Sequence, residues 1–228
     1  MNKYFIKARL FPAILTSIPM LIFFNKVLAR EYSSALKNLY DVVPIIIHLG
    51  LSAAIIFLCV HINRFLAKEI FQRLYFKEEI FMPSTSHLLW ENNYYETETK
   101  NQIRDKITEK FKLILLNQEE EQKDNIRARK LIATSVSQIR IALKGNNMLL
   151  QHNIEYGFWR NLIGGCVLSI IFSIIIYFYG EHYKLNDLKV IAIISFVTFL
   201  LPIIFSATLI KNFGRYYSKI LYEQFLSV

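Results

Sequence analysis

The stretch HNIEYGFWRNLIGG, residues 152–165, joins a charged middle region to an apolar run that begins at Leu162. It combines two kinds of side chain: the polar and charged ones are His152, Asn153, Glu155, Arg160 and Asn161, and the aromatic ones are Tyr156, Phe158 and Trp159. Aromatic side chains are enriched where a helix crosses the boundary between membrane and water. The stretch therefore predicts the start of a membrane span, with polar groups that serve as a membrane anchor or as a functional element of the protein.

Three more apolar blocks accompany the one at residues 162–179; they cover about residues 10–28, 42–63 and 188–210. A helix needs ~20 apolar residues to cross a bilayer, and each block approaches that length. The first block follows a basic start, as a signal peptide does, but no small-residue cleavage site follows promptly, and we expect a retained span. The sequence thus predicts an all-α integral membrane protein with four transmembrane helices and a helical cytoplasmic domain between the second and third spans.

The distribution of Lys and Arg predicts the orientation of these regions. The formal net charge is +9, and most basic residues lie between Lys68 and Arg160 or near the chain ends. Cytoplasmic segments of membrane proteins are rich in Lys and Arg, so both termini should be cytoplasmic in a multi-pass protein of the bacterial inner membrane. The same rule accounts for the basic charge, and nucleic acid is not an expected partner.

We expect four regions along the chain. Residues 1–63 form the first transmembrane helix pair, and 64–158 form the cytoplasmic helical domain with an amphipathic juxtamembrane helix that ends at Pro83 and Ser84. Residues 159–210 form the second transmembrane pair, in which Pro202 predicts a kink. Residues 211–228 form a cytoplasmic amphipathic tail with an apolar stripe; its members are Phe213, Tyr217, Ile220, Leu221 and Phe225.

Within the middle region, the apolar spacing predicts two helices. The first covers about residues 97–116, and the second runs from an Asp124 cap to about Leu143. Residues 117–122 read as an exposed loop whose glutamates, Glu119 to Glu121, face solvent. Gly145 suits the left-handed conformation that follows a helix end.

Few residues of the chain stand in a pattern typical of catalysis. The sequence contains no Gly-rich phosphate loop, HExxH, GxSxG or paired CxxC motif, and Cys59 and Cys166 lie inside apolar runs. His87 and His152 are candidate general bases, but neither stands at a spacing that chemistry requires. We therefore assign no catalytic residue and expect no metal or cofactor.

The candidate functional residues lie in the juxtamembrane stretch; they are His152, Asn153, Glu155, Tyr156, Gly157, Arg160 and Asn161. An interfacial anchor explains the aromatic residues and Arg160, whose long side chain reaches lipid phosphates. An anchor explains Asn153, Asn161 and Glu155 less well, since such side chains favour hydrogen bonds to another segment. Hydrogen bonds of this kind would couple the middle domain to the spans. Both interpretations stay open. His48 and His61 are the ionisable groups inside the spans, and no carboxylate lies at mid-membrane, which disfavours an ion-driven transporter.

Residues 153–164 read NIEYGFWRNLIG and resemble the segment NxxYGFRRNLxG of a widespread family of uncharacterised bacterial four-span membrane proteins; Trp159 replaces the first Arg of that segment. The stretch from Thr85 to Leu89 is similar to the family's Thr-Thr-x-Leu-Leu, although Pro83 lies one residue further away. The resemblance implies an architecture and no chemistry. The four-span plan is also similar to that of pore-forming effectors in bacterial anti-phage systems.

Three function classes follow. The first is an oligomeric gated pore or membrane-perturbing effector of anti-phage defence, controlled by its cytoplasmic domain. Its partners would be the lipid bilayer, further copies of the chain, and a cytosolic protein or a nucleotide ligand. The second is a non-enzymatic membrane scaffold that recruits a cytosolic partner. The third is a membrane-embedded enzyme that acts on lipid through His152 and Glu155.

Overall fold

The computed structural model of the chain describes residues 2–28 and 44–228, with side-chain surroundings for all of these except residues 28 and 44–48. Its regular elements are helices, and the described residues contain no β-strand, which confirms the all-α fold. The predicted first loop, about residues 29–41, and the side chain of His48 lie outside the described residues.

Four helices of the described part are long and apolar enough to cross a membrane, as the sequence predicts; the qualifying stretches are Lys3–Val27, Leu49–Phe76, Asn147–His182 and Asn186–Ile204. The first helix, α1, covers residues 3–28, with π-helical turns at Ile6–Leu10 and Phe23–Leu28. The second, α2, covers residues 44–76 and includes the π-helical turn Ala67–Gln72. The helices Asn147–His182 and Asn186–Ile204 are α7 and α8.

The shorter helices lie between α2 and α7, and one more follows α8. They are α3 (Pro83–Ser86), α4 (Thr97–Phe111), α5 (Gln118–Lys123), α6 (Asn125–Ala142) and α9 (Ser206–Leu226). A 3-10 turn at Glu79–Phe81 precedes α3. The chain divides into two compact units: unit 1 comprises the described parts of Met1–Phe71 and Gly157–Leu209, and unit 2 comprises Gln72–Tyr156 and Ile210–Val228.

Unit 1 contains α1, most of α2, the C-terminal part of α7, and α8. One apolar cluster joins α1 to α2 through Ala13, Ile55 and Val60. A second joins α7 to α8 through Leu162, Cys166 and Phe199, with Phe158 and Trp159 packed against it. Many other apolar side chains of this unit are exposed, which is typical of helices that face lipid.

Unit 2 has its own apolar core, to which α4, α6 and α9 all contribute. Ile103, Ile107, Ile132 and Ile139 come from the middle region, and α9 contributes Tyr217, Ile220, Leu221, Tyr222 and Phe225. Of the apolar stripe predicted for the tail, Tyr217, Ile220, Leu221 and Phe225 are buried in this core, whereas Phe213 is half-buried and lies outside it. Four short middle helices would bury little surface alone, so the C-terminal helix completes a core that they cannot form by themselves.

Local details confirm some predictions and correct others. Asp124 caps α6 by accepting the Arg127 N–H, and Gly145 has φ +98°, both as predicted. The predicted loop at 117–122 is wrong, because Asn117 and Glu120 form a capping box that starts α5. The helix predicted to end at Pro83 ends at Phe76 instead, where Lys77 has φ +58°, and Pro83 begins α3, since proline suits the first helical turn.

The last two spans also differ in length from their apolar blocks. Helix α7 begins at Asn147, well before the apolar run that starts at Leu162. The polar residues that precede Leu162 therefore belong to the same helix as the apolar run. Helix α8 ends at Ile204, shortly after Pro202, and the chain resumes as α9 at Ser206. Proline removes a backbone donor and disturbs the turn that precedes it, so Pro202 alone does not account for an interruption that follows it at Phe205.

Candidate functional site

One face of α7 carries a small or polar residue at every fourth position within unit 1. These residues are Gly157, Asn161, Gly165, Ser169 and Ser173, and all are buried. Residues four apart stack on one side of a helix, so the five form a continuous strip. Small residues on such a strip let neighbouring helices approach closely in a membrane.

Asn161 connects this strip to α1. Its side chain is 1% exposed, and Nδ2 donates a 2.6 Å hydrogen bond to the main-chain carbonyl of Ala8. One turn earlier, a Cβ atom added at Gly157 would lie 2.8 Å from the Tyr4 hydroxyl and 3.0 Å from Ala8 Cβ. Helices α1 and α7 are therefore in close contact at this level, and a larger residue at position 157 would have to displace the Tyr4 side chain.

A second set of contacts joins α1, α2 and α7 deeper in unit 1. Asn63 of α2 donates through Nδ2 to Thr16 Oγ1 at 2.8 Å, and Ser169 of α7 donates to the Thr16 carbonyl at 2.7 Å. A Cβ atom at Gly165 would overlap the side chains of Asn63 and Thr16, and one at Gly164 would overlap the backbone of Asn63 and Ala67. We refer to Thr16, Asn63, Asn161 and Ser169, together with Gly157, Gly164 and Gly165, as the polar seam.

The polar seam is only partly satisfied by hydrogen bonds. The side-chain oxygens Asn63 Oδ1 and Asn161 Oδ1 are both buried and have no hydrogen-bond partner among the described residues. A buried polar atom without a partner costs free energy. Each of the two amides donates a hydrogen bond and leaves its acceptor oxygen unused. The seam therefore holds the three helices together, but it fixes their relative positions less strongly than a complete hydrogen-bond network would.

The predicted site residues N-terminal to Gly157 belong to unit 2. His152 Nδ1 lies 3.3 Å from Glu155 Oε2, and Gln151 donates to Glu155 Oε1 at 3.0 Å. These contacts lie within α7, so the structure places Glu155 against its own helix, whereas Asn161 does reach another segment. Asn153 is half-buried, and Tyr156 is buried beside Gly214 of α9.

Arg160 is half-buried on α7 in unit 1. The stretch singled out by the sequence thus contains a helical boundary between the two units, at Tyr156 and Gly157. The structure brings Gly157 and Asn161 together with α1. His152, Asn153 and Glu155 belong to unit 2 and are half-buried on earlier turns of the same helix.

Unit 2 contains a buried ion pair that the sequence did not suggest. Arg104 donates to Glu121 Oε2 at 3.1 Å and to the carbonyls of Leu88 and Leu116 at 2.8 and 2.7 Å, and its guanidinium lies 4.2 Å from the Trp90 ring centroid. Glu121 Oε1 accepts the Trp90 backbone N–H at 2.5 Å. The prediction that Glu121 is solvated is wrong, since the α5 capping box turns this carboxylate inward. The signal available in the sequence was Asn117 three residues before Glu120.

His87, a candidate general base, is also buried in unit 2. Its Nδ1 lies 2.9 Å from Ser218 Oγ, and its ring stacks on Tyr94 with centroids 3.8 Å apart. Burial, with a smaller contribution from the positive charge of Arg215, lowers the pKa of His87 from 6.5 to about 4. His87 is therefore neutral at pH 7, and the burial of both His87 and Ser218 argues for a structural hydrogen bond.

Among the described residues, no group of three or more His, Cys, Asp and Glu side chains could hold a metal ion. Comparison of the chain with protein family models, with curated proteins and with solved structures finds no match. The resemblance of residues 153–164 to the bacterial four-span family stays a prediction.

Proposed function

We propose that this chain is a multi-pass protein of the bacterial inner membrane that oligomerises and acts as a gated pore or membrane-perturbing effector of anti-phage defence. Unit 2 would lie in the cytoplasm, together with both termini, and would respond to a cytosolic protein or a nucleotide. The observation that carries the proposal is the continuity of α7, which is a single helix through the predicted coupling stretch.

Helix α7 contains 36 residues, a length of about 54 Å at ~1.5 Å per residue. The hydrocarbon core of a bilayer is only ~30 Å thick. The apolar part from Leu162 onward can span the membrane while the preceding turns extend beyond it. The boundary between the two units falls inside this helix, so we infer that a rotation or shift of its first turns acts on the span through the helix itself.

Such a movement of α7 would change the contacts of the polar seam. Gly157, Gly164 and Gly165 leave no side chain between α7 and its neighbours, and Asn161 holds α1 through one hydrogen bond. Interhelical hydrogen bonds in membrane proteins contribute only about 0.6 kcal/mol on average. A modest force on α7 is therefore enough to exchange these contacts for others, which is the behaviour that a gate requires.

The apolar surface of unit 1 can face either lipid or another copy of the chain. Large apolar side chains on α7 and α8 are exposed, among them Ile171, Ile174, Phe178, Val190, Ile194 and Val197. The seam residues of the same unit are buried inside one chain. A water-filled path would therefore be built between several copies, with α7 or α8 at the contacts between them.

The enclosure of the seam also favours the second candidate, a membrane scaffold. Asn63, Asn161 and Ser169 are at most 1% exposed, so the polar groups that could line a path hold α1, α2 and α7 together instead. A scaffold of this kind would anchor unit 2 at the membrane and recruit a cytosolic protein through it.

Induced expression distinguishes the two candidates. We expect the wild-type chain to depolarise the membrane and slow growth, and Asn161→Ala and Arg160→Ala to reduce both effects at equal protein levels. Asn147→Ala is the control, because it changes an exposed asparagine of the same helix that lies outside the seam and outside the candidate stretch. An inert wild type that copurifies with a stable cytosolic protein would favour the scaffold.

A further inference from the structure

We propose that unit 2 carries a binding site for an oxyanion, the carboxylate or phosphate group of a small ligand, built around Arg140. A cavity of about 240 Å³ opens between α6 and the segment from Glu79 to Thr85; its polar lining consists of Glu79, Ser84, Thr85, Thr134, Ser137 and Arg140. Drug-sized ligands occupy ~300–1,000 Å³, so this space suits a smaller molecule or the charged end of a larger one.

Arg140 is held in place by contacts that leave its donors available. Its guanidinium lies 5.5 Å from the Tyr217 ring centroid, and its Nε is buried with no hydrogen-bond partner among the described residues. Guanidinium groups present several N–H donors in a planar fork that matches carboxylates and phosphates. An arginine packed in this way is pre-oriented for an oxyanion, and less side-chain entropy is lost when one binds.

Glu79 occupies the position that the oxyanion would take. Its Oε1 lies 4.0 Å from Arg140 Nη1, at the outer limit of an ion pair, and its side chain is 75% exposed on a 3-10 turn. Exposed pairs of this kind contribute little to stability. The Glu79 carboxylate therefore acts as a weak internal competitor, which a ligand with better geometry displaces into solvent.

The hydroxyl groups of the cavity complement the guanidinium. Ser84 and Thr85 are 4% and 2% exposed and line the cavity from α3. On α6, the hydroxyls of Thr134 and Ser137 donate to the carbonyls of Lys130 and Ala133 at 3.0 and 3.1 Å. Their oxygens remain acceptors for an N–H or O–H group of the ligand, so the hydroxyls that can donate to the oxyanion beside Arg140 are those of Ser84 and Thr85.

The oxyanion can come from a soluble molecule or from a lipid headgroup, and two titrations separate these sources. The full-length chain in dodecyl maltoside is titrated at constant ionic strength with inorganic phosphate and with acetate, and separately with short-chain phosphatidylglycerol. Binding is followed by calorimetry, with chloride as the reference anion. Conductance is not measured, so the outcome is independent of the pore proposal.

We expect saturable binding in at least one titration. Arg140→Gln should weaken it about tenfold or more, since a charge-assisted bidentate contact is lost. Glu79→Gln should strengthen it several-fold, because the competing carboxylate is removed. Arg127→Gln, at an exposed arginine of the same helix, should leave affinity unchanged.

Arg140 also contacts Tyr217, so the fold of Arg140→Gln is checked by circular dichroism. If that variant unfolds, Glu79→Gln still decides the question. The proposal is overturned if no titration saturates, if a folded Arg140→Gln binds as wild type does, or if Glu79→Gln does not strengthen binding.

Discussion

Asn161 Nδ2 donates a 2.6 Å hydrogen bond to the main-chain oxygen of Ala8, 153 residues away in the sequence. A side-chain donor to a main-chain acceptor fixes the distance between two helices without requiring a particular residue at the acceptor. The contact therefore depends on Asn161 alone, and Asn161 is the most direct position at which to test how α1 and α7 are held together.

Replacing Asn161 with Ala should destabilise unit 1. The change leaves the Ala8 carbonyl without this donor, although it also removes the unpartnered Oδ1. We expect a loss of about 0.5–2 kcal/mol in the free energy of unfolding, measured by denaturation in detergent. Asn153→Ala should change it little, and an equal loss for both variants would show that the Ala8 contact is not the reason.

Alanine at the seam glycines should disturb the packing of α7. A Cβ at Gly164 would overlap backbone atoms of Asn63 and Ala67, which cannot move aside as a side chain can. We expect Gly164→Ala to lower the unfolding free energy by about 1–3 kcal/mol, the usual cost of overpacking. Gly50→Ala is the control, since a Cβ there meets nothing within 4 Å, and there alanine should be neutral or stabilising.

The ion pair of unit 2 should be sensitive to loss of charge. Glu121→Gln leaves Arg104 buried without its counter-charge, and breaking such a pair costs about 3–5 kcal/mol. Hydrogen exchange should speed up at the Trp90 amide, which donates to Glu121. Glu119→Gln removes an exposed carboxylate from the same helix; if it had an equal effect, the buried pair would not be the cause.

His87 should make unit 2 less stable in acid. Its pKa is about 4 when folded, against the ordinary histidine value of 6.5, so between these values the unfolded chain binds the additional proton. Stability is therefore unaffected at pH 7, falls as the pH drops below ~6.5, and levels off near pH 4 after a loss of roughly 3 kcal/mol. His87→Gln should have a shallower dependence of unfolding free energy on pH in this window; an unchanged slope would assign the effect to other groups.

The sequence predicts the helices well and their partners poorly. The four helices that are long and apolar enough to cross a membrane follow from length and apolarity, which are local properties, and the α6 cap follows from Asp124. The apolar stripe of α9 was visible at Tyr217 and Phe225, but nothing local indicates that it packs on α4 and α6. Such contacts join residues distant in the sequence and depend on the fold as a whole.

The candidate site, too, could be predicted from the sequence only in part. The four-residue spacing of Gly157, Asn161 and Gly165 is a sequence signal that our predictions did not use, although small residues at this spacing are typical of a face for close packing. The identity of the facing residues, Ala8 and Asn63, required the structure. The sequence placed Glu121 in solvent because an acidic run is usually exposed, and only the position of Arg104 explains its burial.

The central claim, that α7 gates a path across the membrane by moving against α1, can be tested with a reversible crosslink. A Cβ at Gly157 would lie 3.0 Å from Ala8 Cβ, which is shorter than the ~3.5–4.5 Å between the Cβ atoms of a disulfide, so a Cys pair at these positions forms the bond once the two helices move slightly apart. The pair Ala8→Cys and Gly157→Cys is introduced with Cys59→Ala and Cys166→Ala, reconstituted in liposomes, and assayed for ion flux before and after reduction. We expect flux in the reduced protein and little in the oxidised protein. Equal flux in both states, or none in either, would contradict the claim.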